Sequence, residues 1–247
     1  MSLSSIATDA AGTPTDLEEP TVRTARVTGA LYLAVGLTGM LSFLLVRPML
    51  HDPDPAMTLA NLRTHQLLAR TGISLELGLV LAQALVALWF YRLFRRVDSF
   101  AAVAVAVFGT VNAVAVLVSA AALATALDAA LGAAGGNEST PQLMYALSEH
   151  LWGAGNLFFG LWLVPMGWCV LRTGTMPRLL GHVLILGGLG YVLSGFAGYL
   201  FPEVPYVAEV LVVPATVGEF WMIGYLLVRG VRQRSQPGDS QDGSALG

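Results

Sequence analysis

The side chains of this sequence that could do chemistry lie inside long apolar segments. The segment from Gln142 to Arg172 is long enough to cross a bilayer, yet it contains Glu149, His150 and Asn156. Ionisable and amide side chains are costly in hydrocarbon, so they normally face a bundle interior, a partner or a water-filled cavity. This segment is therefore the first place to look for function.

Counting residues from the ends of the apolar segments, at 1.5 Å of rise each, sorts the polar residues by depth. Glu76, Asn112, Asn156 and Glu219 fall near the midplane, together with Thr216. A carboxylate without a partner at this depth costs at least about 2.5 kcal/mol, and no arginine is predicted beside Glu76 or Glu219. Two interpretations stay open: a cavity that binds a substrate or carries protons, or a buried hydrogen-bond network that only fixes how the helices pack.

A second polar cluster is predicted near one membrane surface. It consists of Arg70, Glu149, His150 and Glu209. An ion pair from Arg70 to Glu149 or Glu209 would cap the bundle. The alternative is that these residues form the mouth of a substrate or proton path.

No metal site, haem or other cofactor is predicted. His150 and His182 are expected to lie roughly 20 Å apart along the membrane normal. A metal ion holds each ligand at about 2 Å, so these two histidines cannot share one. Cys169 is the only cysteine, which excludes an intrachain disulfide and a cysteine-rich metal site. The sequence offers no catalytic residue, and an enzyme is the least favoured class.

Composition places the chain in a membrane. Hydrophobic residues make up 55% of it and charged residues 12%, whereas soluble domains carry about 25% charged residues. All 13 cationic residues are arginines, and they lie in short segments between apolar runs rather than on one face. Nucleic-acid binding therefore has no support.

The apolar runs predict an all-α, polytopic membrane protein with a bundle of six transmembrane helices. Each run has the roughly 20 residues that cross the hydrocarbon core of a bilayer. The bundle is one domain over residues 23–232, with spans at about 27–46, 66–91, 99–127, 142–172, 178–200 and 206–228. The polar segments 1–22 and 233–247 are predicted to be disordered cytoplasmic tails. Residues 47–65 are predicted to be a loop with a short interfacial helix over Met57–Leu62.

The arginines also predict the orientation. Ten of them fall on one side of a six-span topology and three on the other: Arg23, Arg26, Arg92, Arg95, Arg96, Arg172, Arg178, Arg229, Arg232 and Arg234 against Arg47, Arg63 and Arg70. Cytoplasmic loops carry the excess of positive charge, so both termini are predicted to be cytoplasmic.

Small residues on the fifth span predict close helix contact. Gly190, Ser194 and Gly198 recur every four residues, a spacing that lets two helices approach closely. The contact could lie within one chain or between the chains of a homo-oligomer.

Four groups of residues carry a family resemblance. They are Arg26, Gly29, Leu31, Tyr32 and Leu33 on the first span; Phe159, Gly160, Leu161, Trp162, Leu163, Arg172 and Gly174 around the fourth; Pro177, Leu179, Gly181, Gly190 and Tyr191 on the fifth; and Glu219, Leu226, Leu227 and Gly230 on the sixth. In these groups the chain resembles a bacterial multi-pass membrane family catalogued as domain of unknown function 4386. It departs from the family pattern at Tyr225, where a tryptophan is usual. The resemblance implies a multi-pass topology but no activity and no ligand.

These observations lead to two functional hypotheses. The first is a small-molecule or proton-coupled transporter, or a binding protein, with a polar intramembrane cavity. The alternative is a non-catalytic membrane protein that interacts with lipid or protein partners and whose buried acids are purely structural. The expected partners are membrane lipid and a small-molecule ligand, and the expected location is the bacterial cytoplasmic membrane.

Overall fold

Six long apolar helices make up most of the computed structural model, which describes residues 22–133, 139–201 and 203–230. We refer to them as spans 1 to 6: Val22–Leu50, Gln66–Phe94, Ser99–Ala130, Ser139–Thr173, Arg178–Leu200 and Pro205–Val228. No strand occurs in the described residues, so the prediction of an all-α, six-span membrane bundle is confirmed. The predicted tails lie outside the described residues, except for Val22, which begins span 1.

The six spans form a closed ring in the order of the chain. Each span packs against the next one in sequence, and span 6 packs back against span 1. Short connections favour this order because consecutive helices then lie side by side. We call the end that holds both ends of the described chain the terminal end, and the end that holds residues 51–65 the distal end. Side chains that face the middle of the ring can meet others from any span.

Glycines set the closest contacts between helices. A Cβ atom on Gly160 of span 4 would lie 2.6 Å from the carbonyl oxygen of Gly188 on span 5, so the two backbones touch there. Gly190 is pressed in the same way against the backbone of Leu211 on span 6, whereas a Cβ on Gly198 would meet nothing within 4 Å. Small residues permit such approach in membranes, where no hydrophobic force drives helices together. The first glycine of the predicted row thus serves a contact within the chain.

An aromatic cluster fills the middle of the ring in its terminal half. Tyr32, Phe90 and Trp162 are buried, and their ring centroids lie 5.4 to 5.8 Å apart in edge-to-face pairs. This geometry brings the positive edge of one ring to the negative face of another. The cluster closes the middle of the ring toward its terminal end.

The end of span 1 differs from the prediction. It was expected at Val46, with Arg47 in a loop, but the helix continues to Leu50. The residues Leu41–Val46 form a π-helical segment, and the backbone N–H of Arg47 donates to the carbonyl of Ser42. Pro48 follows; because proline has no N–H, it cannot donate the next bond of a regular ladder. The predicted loop also contains the helix Pro55–Thr64, which Asp54 caps by accepting a hydrogen bond from the N–H of Ala56.

Candidate functional site

A buried ion pair joins spans 1 and 2 in the distal half of the ring. Nη2 of Arg47 lies 2.6 Å from Oε1 of Glu76, and the side chains are 10% and 0% exposed. The same Nη2 lies 3.0 Å from Oγ of Ser119 and 2.6 Å from Oγ of Ser148. Ser119 in turn donates to Oε2 of Glu76 over 2.8 Å. These four residues, which we call the ion-pair layer, link four of the six spans.

The π-helical segment explains how Arg47 reaches this position. In an α-helix, residues five apart are not a whole number of turns apart, so they point in different directions. The i to i+5 bonds of a π-helix place such residues about one turn apart. Ser42 and Arg47 both approach Oε1 of Glu76, at 3.5 Å and 2.6 Å. The wider turn thus directs the guanidinium into the ring instead of toward the surface.

The sequence interpretation of Glu76 therefore needs correcting. We expected no arginine at its depth, because Arg47 was assigned to a loop. A buried charge is tolerated when it is paired and hydrogen-bonded. Glu76 meets this condition through Arg47 and Ser119, and it makes no hydrogen bond with Asn112 or Asn156.

A cavity of about 260 Å³ lies in the middle of the ring, between the aromatic cluster and the ion-pair layer. All six spans contribute to its wall. Three of the four residues assigned to the midplane from the sequence line it, namely Asn112, Asn156 and Glu219, whereas Glu76 does not. The structure thus brings the two amides and one acid together and places the other acid in the ion-pair layer.

Two aromatic rings separate the cavity from the ion-pair layer. Phe43 and Trp152 both line the cavity, and their ring centroids are 5.1 Å apart. The guanidinium carbon of Arg47 lies 5.2 Å from the Phe43 centroid and 5.6 Å from that of Trp152. A guanidinium within about 6 Å of a ring face is attracted by it. The rings and Glu76 hold Arg47 outside the cavity wall.

Gln83 is the most unusual residue of the cavity wall. It lies seven residues after Glu76 on the inner face of span 2, about 10 Å further along the helix. Its side chain is fully buried, and neither its amide nitrogen nor its amide oxygen has a hydrogen-bond partner in the structure. Leaving such a group unpaired costs about 1–3 kcal/mol. A polar group in this state needs an explanation beyond packing.

Glu219 contributes the carboxyl group of the cavity. Its Oε1 accepts a hydrogen bond of 2.5 Å from the hydroxyl of Tyr32, which joins the last span to the first. Its other oxygen makes no hydrogen bond with any residue that the structure describes. One oxygen is therefore fixed by the protein while the other is available to a ligand or a proton.

The second predicted cluster does not assemble. Arg70, Glu149, His150 and Glu209 are all exposed, and no hydrogen bond or ion pair joins them within the described residues. The ring of His150 instead stacks on that of Tyr199, with centroids 6.5 Å apart. Nor do three His, Cys, Asp or Glu side chains of the described part come together in a group that could hold a metal ion.

In a comparison with protein-family models, residues 27–230 match a family model. The chain belongs to the family described as Domain of unknown function (DUF4386). The resemblance found in the sequence is thereby confirmed. No curated protein and no solved structure matches the chain.

Several residues of the site in this DUF4386 protein are not predicted by the sequence. Arg47 was missed because Pro48 marks the end of a helix in most sequences, and a π-helical segment leaves no clear sequence signal. Serine is common in membrane helices, so nothing in the sequence distinguishes Ser119 and Ser148. Tyr32 was noticed only as part of the family resemblance. An acid without a partner at the depth of Glu76 was the one signal that could have prompted a search for a nearby arginine.

Proposed function

We propose that this protein binds a small molecule in the cavity between its six spans, as a transporter or a binding protein. The observation that carries the proposal is Gln83, a residue of the cavity wall whose buried amide has no hydrogen-bond partner. An apolar residue there would be more stable if packing were the only requirement. A ligand that bonds to this amide explains why a glutamine stands there. Buried polar groups in the wall of a mainly apolar cavity are typical of ligand sites.

Three further groups support the proposal. Asn112, Asn156 and Glu219 line the same cavity, and their side chains can donate or accept hydrogen bonds. The carboxyl group of Glu219 also gives the cavity one group that can carry a proton. The volume of about 260 Å³ lies close to the lower end of the roughly 300–1,000 Å³ common for ligand pockets. A small metabolite or a compact lipophilic molecule fits this size.

The test compares Gln83→Leu with the wild-type protein in detergent, using thermal unfolding across a panel of metabolites, lipids and pH values. We expect the variant to melt at the same or a higher temperature without ligand, because the unpaired amide is gone. It should also lose the ligand-induced increase that the wild type shows. The same substitution at Gln66, on the same span but outside the cavity, should leave that increase intact.

Two outcomes would contradict the proposal. One is a panel that never raises the melting temperature of the wild type. The other is a ligand-induced increase of the same size in Gln83→Leu. Either result would favour a membrane protein whose polar interior is structural and whose partners are lipids or other proteins.

The protein is placed, in this proposal, in the bacterial cytoplasmic membrane with both termini cytoplasmic. The arginine asymmetry supports this orientation. Arg47 no longer counts against it, because its charge is buried beside Glu76. A reporter enzyme that is active only outside the cytoplasm should stay inactive when fused to the C-terminus, and activity would refute the orientation.

A further inference from the structure

Aromatic rings form much of the cavity wall. Six of the lining residues are aromatic: Tyr32, Phe43, Trp152, Phe159, Tyr191 and Phe220. They come from spans 4, 5, 6 and 1, which follow one another around the ring, so the rings form one continuous arc of the wall. The face of an aromatic ring carries negative charge density and attracts cations. Rings arranged around a site are the usual means by which proteins recognise quaternary ammonium groups.

The acid in this wall has no cationic partner. Among the residues that the structure describes, Glu219 is the one Asp or Glu that lines the cavity, and no Arg or His lines it. The chain contains no lysine. Arg47, in the adjoining layer, is held behind the rings of Phe43 and Trp152 by its ion pair with Glu76. The acidic group of the wall thus favours a cationic ligand over an anionic one.

The other polar groups of the wall are neutral. Gln83, Asn112, Asn156 and Thr216 offer carbonyl, amide and hydroxyl groups. Their carbonyl and hydroxyl oxygens can accept hydrogen bonds from the N–H of a protonated amine, but they cannot neutralise a carboxylate. A positive charge on the ligand would do so.

Between spans 1 and 6 the cavity wall includes residues with exposed side chains. Toward the terminal end these spans are in tight contact, since a Cβ on Gly29 would lie 2.9 Å from Cβ of Leu226. At the level of the cavity, Met40 and Phe220 line it and are also exposed on the surface. At this level a Cβ on Gly36 of span 1 would meet nothing within 4 Å, so the tight contact seen at Gly29 is not repeated. These positions lie in the middle of membrane spans, where the surroundings are hydrocarbon.

We propose that the ligand is a lipophilic organic cation: an amine or quaternary ammonium compound with apolar substituents. Its charged nitrogen sits between Glu219 and the aromatic faces, and it enters from the bilayer through the gap between spans 1 and 6. This inference rests on the proposed function, because it names the ligand class of the same cavity. An apolar compound could cross the gap equally well, but only a cation uses the acid and the rings together.

The test uses three probes of matched shape on the purified protein in detergent. They are benzyltrimethylammonium, its neutral carbon analogue neopentylbenzene, and the anion benzylsulfonate. We expect the cation to bind at least about tenfold more tightly than either of the others, a difference of about 1.4 kcal/mol. Equal or tighter binding of the neutral or anionic probe would overturn the proposal, and so would a failure of all three to bind.

Two variants test separately how the acid and the aromatic rings contribute to binding of the cation. Glu219→Gln should remove the preference for the cation, whereas Glu203→Gln, the same change at an exposed position, should not. If Glu219→Gln does not fold, Phe220→Leu serves instead, since Phe220 is exposed and its loss should not disturb the core. It should weaken cation binding severalfold and leave the neutral probe unaffected. An unchanged preference in whichever of these two variants folds would contradict the assignment.

The outcomes also distinguish a failure of the proposed ligand class from a failure of the proposed function. If the neutral probe binds best and Gln83→Leu abolishes its binding, the cavity is a ligand site but its ligand is not a cation. If none of the three probes binds while a metabolite still stabilises the wild type through Gln83, the ligand class is wrong and the proposed function stands.

Discussion

Removing one partner of the ion pair between Arg47 and Glu76 should destabilise the protein strongly. In Arg47→Met a carboxylate stays buried without its cation, and in Glu76→Leu a guanidinium stays buried without its anion. Breaking a buried pair in this way costs about 3–5 kcal/mol, because the desolvated charge that is left has no compensation. Each single variant should therefore lose about that much free energy of unfolding.

The double variant should be far more stable than the sum of the two losses predicts. It leaves no buried charge, and Ser119 and Ser148 can still bond to each other across their 2.6 Å separation. Replacing a buried pair by apolar residues of similar size is often nearly neutral, so we expect a loss of no more than about 2 kcal/mol. Two single losses of about 3 kcal/mol or more then imply a coupling energy of at least about 4 kcal/mol.

The assay is unfolding in mixed micelles with increasing dodecyl sulfate, followed by far-UV circular dichroism. Arg172→Met is the matched control, because Arg172 pairs with Asp98 over 2.8 Å but its side chain is 54% exposed. An exposed pair contributes about 0–1 kcal/mol. A coupling energy below about 1 kcal/mol between Arg47 and Glu76 would refute the reasoning, since it would equal that of an exposed pair.

Two further predictions concern helix contact and pH. Gly190→Ala should lower the free energy of unfolding by about 1–3 kcal/mol, because its methyl group would collide with the backbone of Leu211. Gly198→Ala, the same change in open space, should have no measurable effect. Equal effects would contradict the packing of spans 5 and 6. The pKa of Asp98 lies below its ordinary value, mainly because the backbone N–H of Ala101 donates to the carboxylate, and Trp168 and Arg172 donate as well. A lowered folded-state pKa gives stability that is present above the ordinary value of about 3.9 and is lost as the pH falls through the folded value. The difference in melting temperature between the wild type and Asp98→Asn should therefore be constant near neutral pH and shrink as the pH falls below about 4. A difference that is undiminished at about pH 3 would contradict this.

The sequence by itself determined the six spans and most of their ends. A run of about 20 apolar residues must form a helix in a bilayer, since every backbone group has to be bonded within the segment. This requirement is local, so the pattern of apolar runs and polar breaks suffices to find the spans. Span 5 begins and ends at the predicted residues, Arg178 and Leu200.

The predicted end of span 1 was wrong because contacts with other spans outweigh the local sequence pattern there. Arg47 and Pro48 have the composition of a helix end, and the predicted span stopped before them. The helix continues to Leu50. Glu76, Ser119 and Ser148 hold the guanidinium of Arg47 inside the ring. None of these partners lies near Arg47 in the sequence, so no local pattern could indicate them.

Only the tertiary structure decided which polar residues meet. The spans are apolar on nearly every side, so the sequence gives little indication of which face of each helix points inward. The depth of a residue is predicted by counting along one helix, and three of the four residues counted to the midplane, Asn112, Asn156 and Glu219, line one cavity. The direction of a side chain depends on how all six helices pack, because a rotation of one helix exchanges its inner residues for outer ones. That packing separates Glu76 from Glu219, pairs each with a residue of span 1, and leaves Gln83 beside the cavity.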